Sequence, residues 1–237
     1  MLIHLAPLYL LIATVCANTE KAIFLGPATA NIPSAHPTLD DLHVDILTPS
    51  DSTIRTYLEA QFPNGSLPHG RATWLILDEL TEGQRYEVRV CWAATQPTAF
   101  RMATYELQTV FETPELISEL SEYSWSRQSP EGDHISQHKL AAKPRASGSE
   151  REASVLFLQI LTAADYYTMN KTLMRDVPPV YVDIILDPFI LNVLPRSLVP
   201  TVGYIVVVAI ASWFISWHIA IWVRNAAVET TREKKIQ

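Results

Sequence analysis

The chain has 237 residues, 18 Lys and Arg against 25 Asp and Glu, and a formal net charge of −7. A mildly acidic balance of this kind argues against nucleic acid as a partner. With sixteen prolines, seven glycines and only two cysteines, the composition fits extended strands and ordered loops and excludes a disulfide-stapled framework.

Residues 1–17 hold an apolar run from Leu5 to Val15 that is too short to cross a bilayer. Val15 and Ala17 place small residues at the −3 and −1 positions of a cleavage site before Asn18, which reads as a signal peptide. An uncleaved anchor is the competing reading, since only His4 can lend positive charge before the run. Cleavage would remove Cys16 and leave Cys91 as the one thiol of the mature chain. Cys91 is then either a buried structural thiol in a strand or a bridge to a partner.

From Ala22 to Leu186 the hydrophobic pattern is mainly period two. Leu42, Val44 and Ile46 alternate with His43 and Asp45; Tyr86, Val88, Val90 and Trp92 alternate with Glu87, Arg89 and Cys91. Further strands are expected at 22–26, 54–61, 72–78, 100–111, 154–162 and 180–186. About eight strands separated by Pro, Gly, Asn and Asp clusters predict a mainly β fold, a lumenal β-sandwich. The run Trp74 to Val90 resembles the crossing into a late strand of a fibronectin type III or immunoglobulin-like sandwich: Leu80 packs under the turn, Gly83 shapes it and Tyr86 opens the strand as a corner residue. One helix is expected to interrupt the pattern. It starts at Pro114 after Thr113, with Leu116, Ile117, Leu120 and Tyr123 on one face. Residues 126–152 are dominated by Ser, Gln, Gly, Pro, Lys, Arg and Glu and read as a disordered surface insertion within the 18–199 domain.

Asn64-Gly65-Ser66 and Asn170-Lys171-Thr172 are N-glycosylation sequons in expected loops, so Asn64 and Asn170 are glycosylation candidates. The segment from Asp187 to Leu198 is apolar but interrupted by prolines and charges. It is expected to lie along the lumenal interface or against a partner. Residues 200–223 form a run of 24 without Asp, Glu, Lys or Arg, long enough for one transmembrane helix. Trp213, Trp217 and Trp222 in its C-terminal half suit an interface, as does His218. Ser212, Ser216 and Ala220 recur every four residues and form a small-residue stripe where a partner helix could approach, or where small residues are merely tolerated. The tail at 224–237 carries Arg224, Arg232, Lys234 and Lys235 against Glu229 and Glu233, which predicts a cytosolic tail and a single-pass type I topology. Lys234 and Lys235 stand three and four residues from the end and match a dilysine retrieval address of the endoplasmic reticulum.

The residues that could carry chemistry are few. His134 and His138 have a metal-like interval but fall in the polar insertion. Asp40 and Asp41, with Asp45 nearby, could suggest paired carboxylates of a metal-dependent sugar transferase, yet they lead into an expected strand whose polar face takes Asp45. No nucleophile elbow, phosphate loop or dinucleotide fingerprint occurs. No catalytic, cofactor-binding or metal site is assigned, and no cofactor is expected.

Ala163-Ala164-Asp165-Tyr166-Tyr167, Val177-Pro178-Pro179, Asp183-Ile184-Ile185-Leu186-Asp187-Pro188 and Asn192-Val193-Leu194-Pro195-Arg196-Ser197-Leu198-Val199-Pro200 resemble the fungal co-activator subunit of GPI mannosyltransferase II. The resemblance covers 154–223, and the earlier half matches mainly in layout. It implies a non-catalytic subunit in the endoplasmic reticulum membrane, bound to the multi-pass transferase that adds the second mannose to the GPI precursor. A cargo receptor or chaperone-like membrane protein of the early secretory pathway is the alternative that the residues alone leave open.

Overall fold

The computed structural model describes residues 18–32, 38–128 and 151–233, with side chains described as far as residue 225. Its strands form two five-stranded sheets, and the chain crosses repeatedly between them. In the first sheet β1 (Thr19–Leu25) pairs with β6 (Arg85–Trp92), and β6 with β9 (Val180–Ile190). Strands β4 (Thr53–Leu58) and β10 (Leu194–Pro195) also pair with β9. In the second, β8 (Arg151–Ala164) pairs with β5 (Arg71–Leu80), β7 (Thr98–Glu106) and the short β2 (Ala30–Ile32). Strand β3 (Asp45–Leu47) adds to β5 in parallel, whereas every other named pairing is antiparallel.

The two sheets differ in how they are covered, and the sequence follows the difference. Leu75, Leu77, Leu156, Leu158 and Ile160 of the second sheet meet Val88, Val90, Val182, Ile184 and Leu186 of the first in one buried cluster. Burying each such side chain contributes roughly 1.5–3 kcal/mol. The opposite face of the second sheet is buried as well. There Trp74, Ile76, Val155 and Phe157 pack against Val110 and Leu120, which come from α1 (Leu107–Glu112) and α2 (Pro114–Gln128). A strand buried on both faces reads as a continuous apolar run, as Trp74-Leu75-Ile76-Leu77 does. The first sheet keeps alternation because its outer face, with Lys21, Arg55, Arg89 and Asp183, meets solvent.

The mainly β fold in two sheets with one long apolar C-terminal helix agrees with the pattern, and the corner device is present. Tyr86 is buried, its hydroxyl accepts from the Thr81 N–H at 2.9 Å and donates to Gln84 Oε1 at 3.0 Å. Gly83 turns the chain there with φ +72°, a conformation that a side chain disfavours.

Several boundaries move. The strand expected through residue 111 ends at Glu106, and 107–112 turn helical so that Val110 covers Phe157. Leu42 and Val44 are not in a strand. Leu39–Leu42 is a 3-10 turn, only Asp45–Leu47 pairs, and Leu39, Leu42 and Val44 instead pack on the outer cluster. The expected helix does start at Pro114, with Leu116, Leu120 and Tyr123 on the sheet, but it runs to Gln128, inside the span read as insertion. Residues 129–150, with His134 and His138, lie outside the described residues. So do the leader at 1–17 and Lys234 and Lys235. One further short helix appears, α3 (Lys171–Arg175), and the expected C-terminal helix is α4 (Val199–Glu233). Helix α4 continues past 223 without a break, so most of the expected tail is an extension of that helix.

Candidate functional site at the membrane-proximal junction

Strand β9 does not end where its sequence pattern fades. The segment Asp187 to Ile190, the start of the stretch expected to lie along the lumenal interface or against a partner, continues the strand and pairs through Pro188 with Tyr86. A turn then sends the chain back as β10, and a 3-10 turn at Arg196–Leu198 leads straight into α4. The reason is local: alternation puts Ile184 and Leu186 in the core and Asp183 and Asp187 on the outer face.

Asp187 faces Glu87 directly across the β6–β9 register, and both side chains are nearly buried, 6% and 7% exposed. Opposed like charges destabilise a sheet. Here Arg89 Nη1 lies 3.4 Å from Glu87 Oε1 and 3.9 Å from Asp187 Oδ2, and Lys21 Nζ lies 3.2 Å from Glu87 Oε2. The remaining acceptor capacity of Asp187 is used by the Ser197 N–H, which donates to its two carboxylate oxygens at 3.2 and 3.3 Å. A sheet carboxylate therefore holds the turn from which the long apolar helix springs.

A second clasp lies beside it. The turn Ile190–Val193 closes with the Val193 N–H on the Ile190 carbonyl at 3.1 Å, and both central residues are left-handed, Leu191 at φ +52° and Asn192 at φ +58°. This is the backbone that two-residue hairpins favour, and asparagine tolerates it where leucine does not. Asn192 Nδ2 donates to the Gly83 carbonyl at 2.9 Å, and its Oδ1 accepts from the Arg85 N–H at 2.8 Å. Gln84 Nε2 donates to the Phe189 carbonyl at 3.2 Å, while the Arg85 guanidinium sits 5.9 Å from the Phe189 ring centroid. The hairpin is thus sewn to the same β5–β6 turn that Tyr86 braces.

The 30-residue segment Arg196–Asn225 runs from the 3-10 turn into α4 and is long and apolar enough to cross a membrane; its most apolar 18-residue window has mean hydropathy 2.2. Ser212, Ser216 and Ala220 are exposed on it, as are Trp213, Trp217 and Trp222. No residue of α4 from Val199 to Asn225 is buried against the sandwich.

The sequons sit at the far end. Asn64 follows β4, and Asn170 lies between β8 and β9; rings of Phe62 and Tyr166 join the two loops at 5.1 Å between centroids. Both asparagines are exposed and shaped by their own sequons: Asn64 Oδ1 accepts from the Ser66 N–H at 3.0 Å and Ser66 Oγ at 2.8 Å, and Asn170 Oδ1 accepts from the Thr172 N–H at 3.0 Å as the cap of α3.

Two of the acidic residues weighed for chemistry, Asp41 and Asp45, are engaged structurally. Asp41 reaches back to the Thr38 N–H at 2.6 Å across its 3-10 turn. Asp45 pairs with Arg127 of α2 at 3.1 Å, and Arg127 also donates to the His43 carbonyl at 2.7 Å. Burial pushes the Tyr123 hydroxyl up; it also works against the Arg127 charge, but Tyr123 and Asp45 outweigh it and hold that guanidinium more firmly protonated. On the open face of the first sheet a hydrogen bond from Arg55, 2.6 Å from Nε to Oδ1, holds the Asp183 carboxyl below the usual range. Cys91 is half-buried and accepts from Thr19 Oγ1 at 3.6 Å. Among the described residues no group of three or more His, Cys, Asp or Glu is placed to hold a metal ion.

The two clasps escaped the sequence reading, although Asp187 and Asn192 stand in the segments that carried the resemblance. The available signal was Asn192 itself, a turn former between two large apolar residues. Compared with known proteins, the chain matches a family model described as GPI-mannosyltransferase II co-activator over residues 8–219. No curated protein and no solved structure matches it.

Proposed function

The chain belongs to the family of GPI-mannosyltransferase II co-activators, and from that premise we propose that it is the non-catalytic subunit supporting transfer of the second mannose to the GPI precursor. Its partner is a mannosyltransferase, as the family description states; we take that partner to be the multi-pass catalytic subunit. A lone helix cannot enclose a lipid-linked sugar, so the chemistry belongs to the partner and this chain supplies contact and position. The observation that carries the reading is the family match, which runs from the leader through most of the apolar helix.

In this reading α4 spans the membrane of the endoplasmic reticulum with the sandwich in the lumen and the basic tail in the cytosol. The leader is cleaved before Asn18; β1 begins one residue later, at Thr19, and the Asn18 carbonyl accepts from the Trp92 N–H at 3.1 Å. Ser212, Ser216 and Ala220 line the helix face that meets the partner. The clasps at Asp187 and Asn192 make sandwich and helix entry one mechanical unit, so a contact made by either is felt by both.

Lipid profiling of cells depleted of the protein tests the assignment. Accumulation of a GPI precursor bearing one mannose is the expected result. A normal set of intermediates would overturn it, and accumulation at another step would assign the chain to a different transferase.

A further inference from the structure

The turn between β9 and β10 presents its apolar side chains to the outside. Leu191 is 90% exposed and Val193 78%, with Ile190 and Leu198 also open beside them. Nothing in the fold explains leucine here. Its φ of +52° penalises a branched side chain, and Gly, Asn or Asp would satisfy the same turn in water. Neither backbone preference nor packing within the sandwich selects Leu191, so its contact must lie elsewhere.

The position of the tip says where. Asp187 holds Ser197, so the entry of α4 is fixed beside the end of β9, and the hairpin projects from that same end. The exposed arginines Arg85 and Arg196 flank it, with Glu82 on the adjoining turn. Apolar side chains ringed by arginines, continuous with a membrane helix, fit the headgroup zone, where guanidinium groups meet phosphates and side chains such as leucine enter the acyl boundary.

We propose that the β9–β10 hairpin tip, Leu191 with Val193, is a second membrane contact that inserts into the lumenal leaflet beside α4 and fixes the tilt of the sandwich over the bilayer. The inference rests on the reading that α4 spans the membrane. Its occupant is lipid, and a protein surface is an outcome of the test.

The mature chain from Asn18 carrying Cys91→Ala would be reconstituted in phosphatidylcholine nanodiscs containing a shallow nitroxide-labelled lipid. An environment-sensitive fluorophore would be placed in turn at Leu191→Cys, Val193→Cys, Val207→Cys and Thr95→Cys, with near-UV circular dichroism confirming a native sandwich. The expected result is quenching at 191, 193 and 207 and none at 95, in the far β6–β7 turn. Quenching at 207 with 191 and 193 behaving like 95 would overturn the hairpin contact and leave the spanning helix intact. Absence of quenching at 207 would instead overturn the spanning reading. A blue-shifted but unquenched label at 191 would assign the tip to protein and refute the lipid contact.

Discussion

Replacing Asn192 separates the two things this residue does. Its side chain makes two hydrogen bonds to the β5–β6 turn, at 2.8 and 2.9 Å, and its backbone is left-handed at φ +58°. Two neutral bonds at about 0.5–1.5 kcal/mol each are worth about 1–3 kcal/mol, and the exposed setting favours the lower half. Asn192→Gly loses the bonds but keeps the backbone freedom, so a cost of about 1–2 kcal/mol is expected. Asn192→Ala loses the bonds and leaves a Cβ in the left-handed region without the polar side chain that makes it tolerable for asparagine, adding about 1 kcal/mol over glycine. For a domain of this size each kcal/mol shifts the melting temperature by roughly 2–4 °C. Melting of the full chain in micelles, followed by near-UV circular dichroism of the sandwich aromatics, should rank wild type above Asn192→Gly and Asn192→Ala lowest. Equal stability of the two variants would refute the backbone argument. Wild-type stability in both would refute the clasp.

The other expectations concern separate parts of the molecule. Arg127→Met removes the link from α2 to Asp45 and to the His43 carbonyl; it should cost about 1–2 kcal/mol and speed amide exchange across 39–45, and unchanged protection there would count against the link. Asp183 has a folded pKa below its unfolded value, so its pairing with Arg55 stabilises the fold above the unfolded pKa and that contribution disappears as pH falls through the folded one. Asp183→Asn should therefore lower stability at neutral pH and narrow the gap to wild type in acid titrations followed by circular dichroism; a gap that widens in acid would contradict the sign. Asn64→Gln and Asn170→Gln should each remove one glycosidase-sensitive step in electrophoretic mobility, and a chain without any such step would argue against a lumenal sandwich. Ser212→Leu combined with Ser216→Leu should reduce co-purification of the mannosyltransferase, whereas full recovery would exclude the stripe as the contact.

What the sequence disclosed depended on whether one face of an element met water. Tyr86, Val88 and Val90 alternate with polar residues because the first sheet is solvated on its outer side, and that strand was legible almost to the residue. Strand β5 was legible as an apolar run and the helix from Pro114 by its apolar face, but not α1 or the packing of both helices on the second face of β5. The error at 100–111 has the same origin: Leu107 and Val110 are apolar in either a strand or a helix, and only the need to cover Trp74 and Phe157 decides. Val44 looked like a strand position because its neighbours alternate, yet it serves as a cap on the same layer. The junction was harder still. Asp187 and Ser197 are ten residues apart, and no local preference announces that a carboxylate in a strand will receive the backbone of a helix entry.

The arrangement of the two ends supports the lumenal placement independently of charge counting. Strand β9 begins beside the end of β4, which leads to Asn64, and directly follows the α3 loop of Asn170; it finishes at the hairpin and the entry of α4. Its 11 residues span on the order of 35 Å. A single strand thus separates the two sequons from the membrane helix by more than the thickness of a bilayer core, roughly 30 Å. Glycans at Asn64 and Asn170 would clear the membrane, while the apolar tip at Leu191 lies at the end from which α4 starts. Had either sequon lain beside Asp187, the same topology would have placed a glycan where the clasps and the partner must fit. A sandwich with its sequons at one end and the entry of α4 at the other has the polarity that the proposed positioning subunit would require.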